Sequence, residues 1–330
     1  MGVSHGCEIV SHLVRHQLEM DHSKVIIKVD VKNAYNEIDP ADIINVVRDE
    51  LPAILPYVLF LLEMSSVDII FHDSRAGKTS VHKMTTGVPQ GGSLSSALFD
   101  MGITPSIRRA QLAHPTASIY LIADDNMVVG PPAEAIATVK TITLLLAEVG
   151  LTLAATTDSK NVIYGLGTQY TAAQRDLALA SDLHWIPSTH GLLVGGTPIG
   201  SDAYMIEHIN TTVDSIIDEM FQLETYLYGP NGRMRARVQT IFKMIQHCSA
   251  QQLTYLLRTC PPHVTLHASR RLDAAIANTI HRIMDCVPLL PPHDSIAMRA
   301  VLIASSFLSD WEAMASLTQK LRVRLPMLHP

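Results

Sequence analysis

Short runs of β-branched and apolar residues, bounded by charged or turn-forming ones, recur at 24–30, 117–123, 126–129, 151–154 and 161–164. Such runs read as strands, because branched side chains pack well on a pleated surface. Between them, apolar residues recur every three or four positions. Ile9, Leu13, Val14 and Leu18 share one face over residues 7–20, which predicts an amphipathic helix. Pro40 opens a second helix, bent or broken near Pro52 and Pro56, because proline removes a donor and crowds the preceding turn. Residues 67–72 and 79–85 flank a Ser-Arg-Ala-Gly-Lys turn and predict a hairpin. A glycine-bearing loop at 87–92 precedes a helix from Ser93, its expected cap, to about Leu112. Another helix is expected from Ala133 to Val149. The stretch GLLVGGTPIG at 191–200 reads as two short strands about a tight turn.

From about Asp202 the strand-like runs cease. The remainder reads as helical, with breaks at 229–232, 261–262 and 288–292. Helix–strand alternation with an antiparallel hairpin predicts an α+β fold, a ferredoxin-like split βαβ, followed by an all-helical region. The boundary is placed near residue 200.

Composition narrows the class. The chain has 330 residues, 47% hydrophobic and 17% charged, enough for a large core and unlike a disordered segment. Its net charge of −6 argues against strong non-specific nucleic-acid binding, which depends on neutralising phosphates. Positive charge does cluster locally: at Arg233, Arg235, Arg237 and Lys243, at Arg270 and Arg271, and at Lys320, Arg322 and Arg324. The first cluster could track a nucleic-acid backbone; a solvated helix face is the alternative. Cys7, Cys248, Cys260 and Cys286 show no paired spacing, which suits a reducing, intracellular setting. Cys248 and Cys260 lie on apolar helical patterns, and with His263 and His267 they match no common zinc finger. The first residues lack the basic and apolar pattern of a secretory signal, and no apolar stretch is long enough to cross a bilayer, so no membrane partner is expected.

The candidate chemistry lies in carboxylates at strand ends. Asp30 closes the run VIIKVD, and Asp124 and Asp125 sit at the turn of YLIADDNMVV. Unpaired carboxylates cost several kcal/mol to bury, so three converging there imply a cation among them. Hard oxygen ligands suit Mg²⁺. Two such ions can clamp the attacking and leaving oxygens of a nucleotidyl transfer.

The segments VIIKVDVKNAYNEID, GVPQGGSLSSALF and YLIADDNMVV, in this order and spacing, resemble the palm of a reverse transcriptase of the non-LTR retrotransposon type. The resemblance covers roughly residues 1–200. It implies a right-hand polymerase palm with partial fingers at 24–200, a residual fingers or lead-in helix at 1–23, and a helical thumb or connection at 201–330. The implied activity is RNA-directed DNA polymerisation, with dNTPs added to a DNA primer on an RNA template by two Mg²⁺ ions, or Mn²⁺. Asp30, Asp124, Asp125 and the Val31 carbonyl would hold the metals. Tyr35 would pack under the incoming sugar and exclude a 2′-hydroxyl, with Asn36 beside it. Gln90 and Gly91 would contact template and nucleotide. Lys160 would lie near the departing pyrophosphate. Gly195, Gly196 and Thr197 would form the primer grip. The chain departs from the family after Gly91, where Gly92-Ser93-Leu94 replaces an acidic residue and Pro, and at Ile122, where many members have Tyr. Only 29 residues precede Asp30, and Arg15 and Lys24 are few substitutes for the basic fingers, so a truncated element is expected. Two other readings remain open: an inactive remnant serving as a nucleic-acid- or protein-binding module, and a viral-type RNA-dependent RNA polymerase sharing the palm.

Overall fold

The structure, a computed structural model, describes residues 5–63, 68–83, 86–122, 125–154, 161–167, 172–227 and 238–285. The chain divides after Ser201 into two compact units.

The first unit opens with α1 (Gly6–Met20), β1 (Val25–Asp30), α2 (Ala34–Glu37) and α3 (Pro40–Glu50). A 3-10 turn (Pro52–Ile54), α4 (Leu55–Glu63) and the hairpin β2 (Asp68–Asp73) and β3 (Lys78–Lys83) follow. Next come α5 (Ser95–Ala113), β4 (Ser118–Ile122), β5 (Asp125–Gly130) and α6 (Pro132–Ala147). The unit ends with β6 (Val162–Tyr164), α7 (Ala172–Leu179), β7 (His184–Trp185), β8 (Gly191–Val194) and β9 (Thr197–Gly200).

Five strands form one sheet in the order β4-β5-β1-β6-β7. β5 lies antiparallel to β4 and β1, and β1 lies antiparallel to β6. So β1 and β4 run the same way with β5 between them, and β5 and β6 do so with β1 between them. The crossovers, one carrying α5 and the other α6, thus leave each strand pair split. This is the ferredoxin-like split βαβ that the alternation predicts.

The two faces of the sheet bury different things, because side chains alternate along a strand. Val25, Ile27, Val29, Val128 and Ile163 face a large core shared with Ile43, Leu98, Phe99, Ile103, Ile142 and Leu146 of the helices. Ile26, Met127, Val129 and Tyr164 face a second core with Val14 and Leu18 of α1 and Leu192, Val194 and Ile199 of the β8–β9 hairpin. Each fully buried aliphatic side chain contributes roughly 1.5–3 kcal/mol. This second face is apolar where α1 and the hairpin cover it. At its far end Lys28, Asp30 and Asp125 stay only half-buried.

Several elements differ from the sequence expectation. The helix from Pro40 is broken rather than bent: α3 ends at Glu50, and Pro52 starts a separate turn. Residues 151–154 do not form a strand and make one bridge, Val31 to Leu153. Ser93 does not cap α5; Leu94 is its N-cap and supplies no side-chain cap bond. α7 and β7 were not expected.

The second unit is helical throughout its described residues. α8 (Asp202–Leu227) pairs with α11 (Pro262–Asp285), and α9 (Val238–Met244), a π turn (Ile245–Ser249) and α10 (Thr254–Thr259) lie between them in sequence. Met205, Ile209, Val213, Ile216 and Met220 recur at helical spacing on α8 and meet Val264, Ala268 and Leu272 of α11. Arg271 pairs with Asp214, and Arg282 with Glu224 at 2.7 Å, along the same two helices. The expected break at 261–262 falls between α10 and α11, whereas those at 229–232 and 288–292 lie outside the described residues. Among the described residues no helix is long and apolar enough to cross a membrane.

Candidate active site

Asp30 is the last residue of β1, and its register partner on β5 is Asp125. Directly opposed residues on a strand pair point to the same face, with Cβ atoms about 4.5–5.5 Å apart. Two carboxylates therefore stand side by side at the half-buried end of this sheet face. Like charges about 5 Å apart repel by roughly 1–3 kcal/mol, depending on how much water screens them. A cation already answers part of this charge: Lys28 Nζ lies 3.0 Å from Asp125 Oδ2. The donor set of adjacent carboxylates, with a side-chain cation drawn to it, fits a divalent metal. Asp124, the third expected ligand, lies outside the described residues, as does Lys160.

The backbone around Asp30 is held from the β6 side. Where the β1–β6 ladder ends, the buried amide of Asn161 takes over: Asp30 N–H donates to its Oδ1 at 3.2 Å, and its Nδ2 donates to the Ala154 carbonyl at 2.8 Å. Ala154 N–H donates to the Asp30 carbonyl, and Lys32 N–H to the Thr152 carbonyl, both at 2.8 Å. These two bonds make the Val31–Leu153 bridge and take neither the N–H nor the carbonyl of Val31. Val31 itself is buried. Asn161 was missed by sequence reasoning: it reads only as the polar first residue of the expected strand at 161–164, whereas the observed strand starts at Val162.

Past Asp30 the chain turns at Asn33, which adopts a left-handed φ of 46°, into the short α2 carrying Tyr35 and Asn36. The Tyr35 ring packs on Phe99 of α5, centroids 5.0 Å apart, and its hydroxyl lies 3.2 Å from Ser96 Oγ. The Gly87 loop is fastened to this same turn. Gly87 N–H donates to the Ile38 carbonyl at 3.0 Å, Val88 N–H to Tyr35 at 2.6 Å, and Thr86 Oγ1 to Asn36 at 2.8 Å. Gly87 has φ 76°, and a Cβ there would lie 2.3 Å from the Tyr35 carbonyl oxygen. Only glycine permits this approach. Gln90 and Gly91 are exposed at the loop's tip, and Gly91, at φ 82°, has open space around it.

The Gly195-Gly196 turn joins β8 to β9 with φ of 53° and 85°, as a tight type I′ hairpin requires. Thr197 is buried. Ser11 Oγ donates to the Val194 carbonyl at 3.0 Å, and Arg15 Nη2 to that of Pro198 at 3.4 Å. Arg15 is thus a buried strut under the hairpin and not an exposed cation of the fingers.

Of the basic cluster, Arg233, Arg235 and Arg237 lie outside the described residues, and Lys243 is exposed on α9. Lys320, Arg322 and Arg324 are likewise outside them. Arg270 is exposed, whereas Arg271 is engaged with Asp214 and with Asn210 Oδ1 at 2.9 Å. Cys260 is buried, but Cys248, expected in a core, is exposed, because the π turn shifts the helical face.

Solved structures similar to this chain include apo telomerase from Candida tropicalis, at 11% identity and a TM-score of 0.38, covering 87% of this chain and 56% of that one. Telomerase from Candida albicans in complex with a TWJ fragment of telomeric RNA is similar at 11% identity and a TM-score of 0.42, covering 97% and 55%. A Candida tropicalis form truncated from the C-terminal domain matches at 14% and 0.38, covering 52% and 37%. The chain thus spans little more than half the length of these proteins, or less. No curated protein matches it. Residues 1–157 match the family model described as Reverse transcriptase (RNA-dependent DNA polymerase). That stretch contains β1, the Gly87 loop and the β4–β5 hairpin, so the similarity to the reverse transcriptase family covers a little under half of the chain and includes these elements.

Proposed function

We propose that this chain is the palm-and-thumb portion of an RNA-directed DNA polymerase of a non-LTR-type mobile element, extending a DNA primer on an RNA template with dNTPs. The observation that carries the reading is the Asp30–Asp125 pair, opposed in register at the open end of a split βαβ within the matched residues. Residues 24–200 are the palm with partial fingers, 1–23 a lead-in, and 201–330 the thumb or connection.

Asp30, Asp124, Asp125 and the Val31 carbonyl would hold two Mg²⁺ ions, with Mn²⁺ as a substitute. When bound, such ions supply Lewis-acid stabilisation of the attacking and leaving oxygens. The chain's own residues do the rest. Asn161 fixes the backbone of Asp30, so its carboxylate is placed before substrate arrives. Tyr35, seated on Phe99, would pack under the incoming sugar and exclude a 2′-hydroxyl, and Asn36 follows it on the same turn. Gln90 and Gly91, at an exposed tip fastened to the Tyr35 turn, contact template and nucleotide. Lys160 donates a proton toward the departing pyrophosphate. The Gly195-Gly196-Thr197 hairpin, packed on the same sheet face, positions the primer end, and in-line attack depends on that near-contact geometry. Arg233, Arg235, Arg237 and Lys243 track the nucleic-acid backbone.

The test is primer extension on an RNA template in Mg²⁺, comparing kcat/KM for paired deoxy- and ribonucleotides. Wild type should prefer deoxynucleotides. Tyr35→Ala should raise ribonucleotide use by an amount worth about 1–3 kcal/mol, the span of one small group in a close pocket. Wild-type preference for ribonucleotides would move the function to RNA synthesis, and no template-directed incorporation by a preparation that includes the fingers would end the reading.

A further inference from the structure

Lys28 stands where an alternating strand face should be apolar. Its register partners on either side are Met127 of β5 and Val162 of β6, both buried. Its stem therefore lies on hydrophobic surface, as long cationic side chains do. Its head emerges at the charged end of the face, two residues before Asp30, and reaches Asp125 Oδ2 at 3.0 Å. The two side chains are 23% and 30% exposed, so water screens them only in part. Asp125 is in turn the register partner of Asp30.

We propose that Lys28 is an internal counter-ion of the carboxylate site, held on Asp125 without metal and displaced from it when a divalent cation binds. The inference rests on the metal-binding role proposed above for Asp30 and Asp125. An ammonium group 3.0 Å from one carboxylate of the pair competes with a second cation for that oxygen. Two cations sharing the pair repel, so the site takes metal more weakly than the bare carboxylates would. In return, the metal-free palm keeps its two opposed carboxylates without their full repulsion. Lys28 therefore sets the cation concentration at which the site fills.

Two readouts independent of activity test this. The first is Mn²⁺ titration followed by electron paramagnetic resonance of the free ion. Lys28→Met keeps the stem and removes the charge, and should bind Mn²⁺ about tenfold more tightly than wild type. Lys28→Arg keeps the charge and should stay near wild type. Unchanged or weaker binding by Lys28→Met would overturn the proposal while leaving the metal site intact. If neither wild type nor Lys28→Met binds Mn²⁺, the metal-site reading and the displacement fall together. The second readout is a double-mutant cycle in EDTA. Lys28→Met should lower the melting temperature in wild type but not in an Asp125→Asn background. An equal loss in both would show that the pair does not form and would overturn the proposal whatever the Mn²⁺ result.

Discussion

Gly87→Ala should damage this protein far more than Gly91→Ala, although both glycines sit in one loop with similar positive φ values of 76° and 82°. A left-handed conformation costs a non-glycine residue roughly 1–2 kcal/mol, and that term is common to both. At Gly91 nothing lies within 4 Å of the added Cβ, so the loss should stop there. At Gly87 the Cβ would lie 2.3 Å from the Tyr35 carbonyl oxygen and 2.4 Å from the Asn36 carbonyl carbon, both backbone atoms that cannot swing aside. The loop must lift from the turn. That breaks the bonds from Gly87 to Ile38 and from Val88 to Tyr35, at about 1 kcal/mol each. The sum for Gly87→Ala is about 3–4 kcal/mol, some 2 kcal/mol beyond Gly91→Ala. Urea denaturation of the two variants beside wild type measures the difference. Equal losses would refute the claim that the loop is clamped to the Tyr35 turn.

Two further outcomes follow from buried polar groups. Asn161→Ala strips both bonds that tie Asp30 and Ala154 and leaves a buried N–H and carbonyl unmet, so urea denaturation should show a loss of about 2–4 kcal/mol. Burial raises the Asp100 carboxyl above its ordinary 3.8, and among the described residues its buried Oδ1 has no hydrogen-bond partner. The folded state therefore holds this proton more tightly than the unfolded one. Stability linked to it is present below pH 3.8 and is lost as pH rises through the raised folded value. Asp100→Asn should stabilise at pH 7 and do nothing near pH 3, as melting temperatures at the two pH values will show.

The parts legible in the sequence are those whose periodicity coincides with burial. β1 and β5 announce themselves as continuous apolar runs because both sheet faces are buried, and α5 and α6 because their apolar residues recur at helical spacing and face a core. The 191–200 hairpin was legible from its glycine pair alone. The expected strand at 151–154 misled because Leu151 and Leu153 flank the polar Thr152, as in a strand. The ladder stops there because β1 has already turned away past Val31 toward the left-handed Asn33. α7 carries no apolar stripe strong enough to mark it, and β7 is two residues long. At the site, the acidic residues were visible by type. Their supports were not, because Lys28 reads as a polar break in one strand and Asn161 as the polar first residue of another. Both gain their meaning only from cross-strand neighbours.

Asp30 and Asp125, opposed in register at one end of the sheet, are proposed together with Asp124 as ligands of a divalent cation. Anomalous diffraction from crystals soaked in Mn²⁺ tests it most directly. The account predicts two anomalous peaks roughly 3.5–4 Å apart, bounded by these carboxylates and the Val31 carbonyl, and both lost in Asp30→Asn. Crystals that show Mn²⁺ only elsewhere on the surface, or the same peaks in Asp30→Asn, would contradict it.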